Sequence, residues 1–194
     1  MKTILLLFLF SFAAFSQEYI QKNDGTKIQF IKGTLRVEPV NKRLTYKVGN
    51  EKKALKIKYK DLDHASFEGF LFKTFQVSNI RKGYYLLAED SQKTLAVISR
   101  KRTSNSGGFD SVHTRYEMVL FGKDKKIIEE LSFTDNKSEK NAQFRTRAKA
   151  IIKENFSSCP KVMERLYAVN ETNKKLENGD VLNFLNKPIY ISCN

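Results

Sequence analysis

The chain has no tryptophan, only three prolines and only nine glycines in 194 residues. Because disordered and linker-rich chains are usually rich in proline and glycine, this scarcity argues against both classes. Without tryptophan, the chain cannot carry the glycine–x–tryptophan signature of lipocalins. Its two cysteines and two histidines show none of the short ligand spacings that zinc sites use, so we predict no metal and no cofactor.

The chain also lacks the short motifs that mark common enzyme sites. It has no Gly-x-Ser-x-Gly elbow, no His-Glu-x-x-His pair and no phosphate-binding glycine loop. The remaining catalytic candidates are histidines with acidic or hydroxyl neighbours: His64 beside Asp61 and Asp63, and His113 near Asp110 and Ser111. Polar turns contain the same residue types. We therefore expect a non-enzymatic protein and keep a hydrolase of unknown substrate as an alternative.

The first sixteen residues have the three parts of a secretory signal peptide. A basic start, Met1–Thr3, precedes the apolar run Ile4–Phe12, and the small residues Ala14 and Ser16 favour cleavage before Gln17. The apolar run is too short for a spanning helix, which needs about twenty residues. We predict cleavage between Ser16 and Gln17, export to the periplasm or release from the cell, and no transmembrane segment after cleavage.

The mature chain, residues 17–194, has the length of a single domain. Its first part, residues 17–134, contains short segments in which apolar and polar residues alternate, such as Leu44–Val48 and Leu55–Tyr59. Such alternation is typical of strands with one buried face. Because these segments follow one another closely without helical patterns, they predict an antiparallel sheet that is curled or barrel-like. The Ser- and Gly-rich stretch Thr103–Ser111 predicts a flexible loop.

The spacing of apolar residues becomes helical in the last part of the chain, residues 135–194. One helix is predicted over Glu139–Phe156, with Asn136 or Ser138 as its cap, and a second short helix follows at Pro160. The fold class is therefore α+β: a predominantly antiparallel sheet followed by two C-terminal helices.

The two cysteines, Cys159 and Cys193, both lie in the mature chain. Export places them in an oxidising compartment, where a disulfide is the expected pairing. Such a bond would tie the end of the chain to the helical region. Two free thiols or a metal site are the alternatives.

The chain is strongly basic, with a formal charge of +14 that becomes +13 when Lys2 leaves with the leader. The basic residues form three clusters: Lys56, Lys58 and Lys60; Arg100, Lys101 and Arg102; and Lys123, Lys125 and Lys126. If the clusters converge, they would bind an anionic ligand, such as an envelope component or a polysaccharide. The alternative is separate solvated faces that keep the protein soluble. No motif specific for nucleic acid is present.

Four phenylalanines crowd one short stretch: Phe67, Phe70, Phe72 and Phe75. They do not share one parity, so a regular strand cannot place all of them on the same face. Either the stretch is buried on both faces, or a bulge or bend at Gly69 divides it. Phenylalanine is a common core residue. The alternative function is a carrier that holds an apolar small molecule or lipid in a cavity behind these rings.

The Phe-rich leader ending in Phe15-Ser16-Gln17, the β-rich body and the late segment Asn155–Pro160 resemble exported proteins of the Bacteroidota type. The resemblance spans most of the chain, and it implies export but no particular activity or site. From the residues we expect an exported, non-enzymatic protein that binds an anionic ligand or envelope component through its basic faces.

Overall fold

The computed structural model describes residues 18–106, 109–168 and 177–193 and shows an α+β fold. The signal peptide and its cleavage site lie outside these residues. Within them, eleven strands precede the helices: β1 Tyr19–Lys22, β2 Lys27–Gln29, β3 Arg36–Glu38, β4 Arg43–Tyr46, β5 Leu55–Lys58, β6 Leu62–Phe67, β7 Phe70–Val77, β8 Ile80–Glu89, β9 Lys93–Ser106, β10 Phe109–Gly122 and β11 Ile127–Thr134. Three helices and a last strand follow: α1 Glu139–Phe156, α2 Pro160–Tyr167, α3 Gly179–Asn186 and β12 Ile191–Ser192.

Nine strands form one large sheet in the order β11-β10-β9-β8-β7-β6-β1-β2, with β12 added in parallel to the end of β8. The other described pairings in this sheet are antiparallel. Strands β11 and β2 are its two open edges, so the prediction of a curled or barrel-like sheet is wrong. The apolar face of a strand must pack against another part of the protein. Here separate layers of structure pack against the sheet, so the sheet does not have to close on itself.

Both faces of the large sheet are covered. Along β9, Leu95 and Val97 belong to a core that includes the helices, whereas Ala96 and Ile98 belong to a core that includes the small sheet. The small sheet has three strands in the order β3-β4-β5. The large sheet is therefore the middle of three layers, and its strands bury side chains in both directions.

A tight turn divides the phenylalanine-rich stretch. Glu68 and Gly69 have φ values of +51° and +79°, and Phe67 pairs directly with Phe70 across them. Two consecutive residues with positive φ are typical of the two-residue hairpin turn that suits the twist of its strands. The bend considered at Gly69 is thus confirmed, and it separates β6 from β7.

The flexible loop predicted over Thr103–Ser111 is wrong for the residues that the structure describes there. Strands β9 and β10 instead form a long antiparallel ribbon, whose register runs from Lys93↔Gly122 to Ser106↔Phe109. Backbone hydrogen bonds between two strands can hold a polar, serine-rich sequence that offers no apolar alternation. Residues 107 and 108, at the tip, lie outside the described part.

The C-terminal part contains three described helices, one more than predicted. Helix α1 begins after Ser138, whose hydroxyl accepts a hydrogen bond from the backbone N–H of Asn141, and this selects Ser138 over Asn136 as the cap. Helix α3 was missed because an apolar run as short as Val181–Leu185 has no period that distinguishes helix from strand. Cys159 and Cys193 form the predicted disulfide.

Candidate anion-binding cleft

A cleft of about 720 Å³ opens between the β1–β2 hairpin, the small sheet and the 3-10 turn Tyr59–Asp61. Sites for small molecules in proteins have volumes of about 300–1,000 Å³. Four lysines line the cleft: Lys22, Lys56, Lys58 and Lys60. The structure therefore brings the first predicted lysine cluster together in one concave site and adds Lys22 to it.

The tip of the β1–β2 hairpin is fastened to the 3-10 turn. The side-chain amide of Asn23 donates to the carbonyl oxygen of Lys60 at 2.6 Å, and its backbone N–H donates to that of Asp61 at 3.1 Å. Within the hairpin, the Asp24 carboxylate accepts from the backbone N–H of Thr26 at 2.9 Å, as expected of an Asp-Gly turn. These bonds hold one wall of the cleft at a defined distance from the other.

The floor of the cleft is apolar. Tyr46 and Ile57, on neighbouring strands of the small sheet, are 5% and 6% exposed, and Ile28 of β2 is half-buried beside them. Burial raises the pKa of the Tyr46 hydroxyl above its ordinary value, so this group stays neutral at physiological pH. A bound ligand thus meets an uncharged aromatic and aliphatic floor surrounded by ammonium groups.

The lysines of the cleft differ in whether a carboxylate neutralises their charge. Lys22 pairs with Asp24 at 2.7 Å, and the hydrogen bond that its ammonium group donates to this carboxylate raises the pKa of Lys22. In the described part of the chain, none of Lys56, Lys58 and Lys60 forms an ion pair with a carboxylate. Asp61 is the second carboxylate in the wall, so the cleft has four cationic side chains against two anionic ones.

The alternation of exposed and buried residues that predicted the lysine cluster applies only to the two lysines on β5. Strand β5 ends at Lys58, with Ile57 buried between exposed Lys56 and Lys58. Lys60 lies beyond the strand, in the 3-10 turn, and the turn carries it back to the same cleft. Its presence there is a consequence of the turn and not of strand periodicity.

The second basic cluster lies elsewhere, on β9. Arg100, Lys101 and Arg102 are exposed and follow one another along the strand, so neighbouring side chains point to opposite faces of the ribbon. Arg100 lies directly opposite Arg115 of β10 in the register. The cluster thus neither lines the lysine cleft nor forms one patch, although Arg100 borders a separate small cavity.

The third basic cluster, on the β10–β11 turn, is also separate. Lys123 and Lys125 line a depression of about 120 Å³ together with Lys73, and Lys126 pairs with Asp124 at 3.1 Å. The three clusters therefore occupy different parts of the described surface, and only the first lines the cleft.

The phenylalanines are packed among other rings. Phe67, Phe72 and Phe75 are buried, and Phe70 is half-buried. Phe67, Phe70 and Phe72 all have ring centroids within 6.3 Å of Tyr85, and Phe75 stacks on Phe121 at 4.1 Å. This packing favours a role in the core between the two sheets.

The two histidines have carboxylate neighbours in the structure. His64 Nδ1 lies 2.9 Å from Asp63 Oδ2, and its Nε2 lies 3.1 Å from the Tyr19 hydroxyl. His113 Nδ1 lies 3.6 Å from Asp135 Oδ1, a residue that sequence proximity did not suggest. The side chain of Asp110 lies outside the described part. Neither histidine lines the lysine cleft.

The described residues contain no group of three or more His, Cys, Asp or Glu side chains arranged to hold a metal ion. Among the described helices, none combines the length and apolar content needed to cross a bilayer. In comparisons with known proteins, no family model, curated protein or solved structure matches this chain. A functional hypothesis therefore depends on the chemistry of the cleft itself.

Proposed function

We propose that this protein is an exported, non-enzymatic binding protein whose lysine cleft holds an anionic ligand, an acidic polysaccharide or another anionic component of the cell envelope. The observation that carries the proposal is the convergence of Lys56, Lys58 and Lys60 on one cleft without carboxylate partners among the described residues. Lysines that only keep a surface solvated do not need to converge on one cleft. Lysines that bind a ligand with several negative charges do.

The wall chemistry suits an acidic sugar chain. Lysine ammonium groups attract carboxylate, sulfate or phosphate groups without demanding one geometry, which suits a polymer whose charges repeat. The Tyr46 and Ile57 floor can pack against the apolar face of a sugar ring, and the lysine ammonium groups can donate to its hydroxyls. The positive charge of the whole chain speeds the approach of a polyanion.

Two features support export. The leader has the composition of a signal peptide, and the Cys159–Cys193 disulfide is the kind of bond that persists in an oxidising compartment. We therefore place the protein in the periplasm or outside the cell, where acidic polysaccharides and envelope phosphates are accessible to it. This location also agrees with the resemblance to exported proteins of the Bacteroidota type.

A charge-neutralising variant of the cleft tests the proposal. In the mature chain, we expect K56Q/K58Q/K60Q to bind polygalacturonate at least about tenfold more weakly than the unmodified protein, because each lost ammonium removes a favourable contact. The affinity of the unmodified protein should fall steeply between low and high salt, and the variant should show a smaller fall. Titration calorimetry at several salt concentrations measures both effects.

The matched control is K123Q/K125Q/K126Q, which removes the same charge from the β10–β11 turn. If the cleft is the site, this control keeps most of the affinity. Equal losses in both variants would show that binding is a property of net charge alone. Absence of binding by the unmodified protein, or binding that salt does not weaken, would refute the proposal.

A further inference from the structure

The Tyr59 hydroxyl is buried without a partner. Tyr59 is 3% exposed, and its oxygen has no hydrogen-bond partner among the described atoms. Buried hydroxyls are normally hydrogen-bonded, so an unpaired one is a candidate contact for a bound water or ion. Tyr59 begins the 3-10 turn at the cleft, but its ring points into the core between the sheets, away from the lysines on either side of it.

Tyr59 lines a small cavity of about 30 Å³ under the turn formed by residues 39–42. A cavity needs about 10–15 Å³ of such volume to hold one water molecule, so this one has room for a monatomic ion but not for a sugar or a nucleotide. Four cationic side chains line it together with Tyr59: Lys42, Arg81, Lys82 and Arg100. Glu117 is the carboxylate in this wall.

The negative groups near the cavity are already engaged. Glu117 accepts hydrogen bonds from Lys82 at 2.7 Å and from Tyr84 at 2.6 Å. Burial alone would raise the pKa of Glu117, but these bonds outweigh it and keep the pKa below its ordinary value. Glu38 of β3, whose charge acts on Tyr59, pairs with Arg43 at 2.7 Å.

The positive groups are only partly engaged. Arg81 donates to Thr74, to the carbonyl oxygen of Leu62 and to the side-chain oxygen of Asn23. None of these acceptors is anionic, and among the described residues this guanidinium forms no ion pair with a carboxylate. Within the described residues, Lys42 and Arg100 form no ion pair. Burial raises the pKa of the Tyr59 hydroxyl and the nearby charge of Arg100 opposes this rise, so Arg100 acts electrostatically on that oxygen.

We propose that this cavity binds a small monovalent inorganic anion of about the size of chloride, which accepts a hydrogen bond from the Tyr59 hydroxyl and balances Arg100 and Lys42. The Tyr59 hydroxyl can donate to an anion, and four cationic side chains line the cavity against one carboxylate, that of Glu117. An anion needs only donors and positive charge. This site is separate from the lysine cleft and stands without the function proposed for that cleft.

Bromide is the probe. Crystals of the mature protein soaked in sodium bromide should show an anomalous difference peak within hydrogen-bonding distance of the Tyr59 oxygen. A water molecule there with no anomalous signal, or bromide peaks confined to other surfaces, would overturn the proposal. Because this measurement uses the unmodified protein, it does not depend on any variant folding.

Thermal unfolding tests the site in solution. When chloride replaces gluconate at constant ionic strength, we expect the Tm to rise by about 2–4 °C, since a ligand of the native state stabilises it. The variants Y59F and R100Q should lose this rise, whereas K56Q/K58Q/K60Q should keep it. An equal rise in Y59F, or no difference between the two salts, would contradict an anion at this site.

Discussion

Removal of the Cys159–Cys193 disulfide should lower the free energy of unfolding by about 4 kcal/mol. The bond joins residues 34 positions apart, and Cys159 is 5% exposed at the start of α2. Cross-linking reduces the conformational freedom of the unfolded chain, and for a loop of this length that effect is a large fraction of the roughly 5–15 kcal/mol typical of whole domains. Urea unfolding of C159A/C193A beside the oxidised protein measures it.

The disulfide also holds the last strand in place. Strand β12 has two residues, and Cys193 adds one backbone hydrogen bond to Glu89 at 2.8 Å. Without the bond, we expect faster hydrogen exchange in Ile191 and Ser192, because so short a strand opens easily. Reduction of the unmodified protein should reproduce the stability loss, and the double variant should not respond to reductant. A loss under about 1 kcal/mol would show that tertiary packing alone holds the tail.

Replacing Gly83 with alanine should cost about 3 kcal/mol of stability. A Cβ atom at Gly83 would lie 2.3 Å from Phe72 Cζ and 2.8 Å from Tyr59 Cε2. Neither ring can move away easily, because Phe72 is fully buried. Its ring centroid lies 5.4 Å from that of Tyr59 and 5.2 Å from that of Tyr85. Interiors packed this densely respond to an added methyl group by straining rotamers or shifting the backbone. Chemical denaturation of G83A measures the loss.

Gly122 provides the matched control. A Cβ at Gly122 first meets the side-chain oxygen of Asp124 at 3.2 Å, an exposed group that can move aside. We expect G122A to lose much less stability than G83A. The double variant F72L/G83A should recover part of the loss, since the smaller side chain vacates the space. Equal effects of the two alanines would mean that the contact with Phe72 does not govern the cost.

The features predicted correctly from the sequence are those that depend on neighbouring residues. The alternation along Lys56, Ile57 and Lys58 places one buried side chain between two exposed ones, as the structure shows. The cap of α1 is local, and so is the turn at Gly69, because both are decided within a few residues. The disulfide was predictable because two cysteines allow only one pairing.

Features that depend on distant partners were predicted poorly. Arg145 lies outside the apolar stripe of α1, yet it is 1% exposed and donates to the carbonyl oxygens of Asn136 and Glu177 at 3.0 and 2.9 Å. Helical periodicity marks an apolar stripe, but it does not show which charged side chain a neighbouring loop will cover. The open sheet escaped prediction for the same reason, since strand alternation fits a barrel and a layered sheet equally well.

By itself, the sequence determined an α+β chain with a basic surface, a signal-like leader and one possible disulfide, because composition and short-range spacing decide these properties. Only the tertiary structure decided that Lys22 joins Lys56, Lys58 and Lys60 in one cleft while Arg100 borders another cavity. Lys22 lies on β1, in the large sheet, and Lys56 lies on β5, in the small one. Their proximity comes from the packing of the two sheets around a shared core, and packing depends on contacts between residues far apart in the chain.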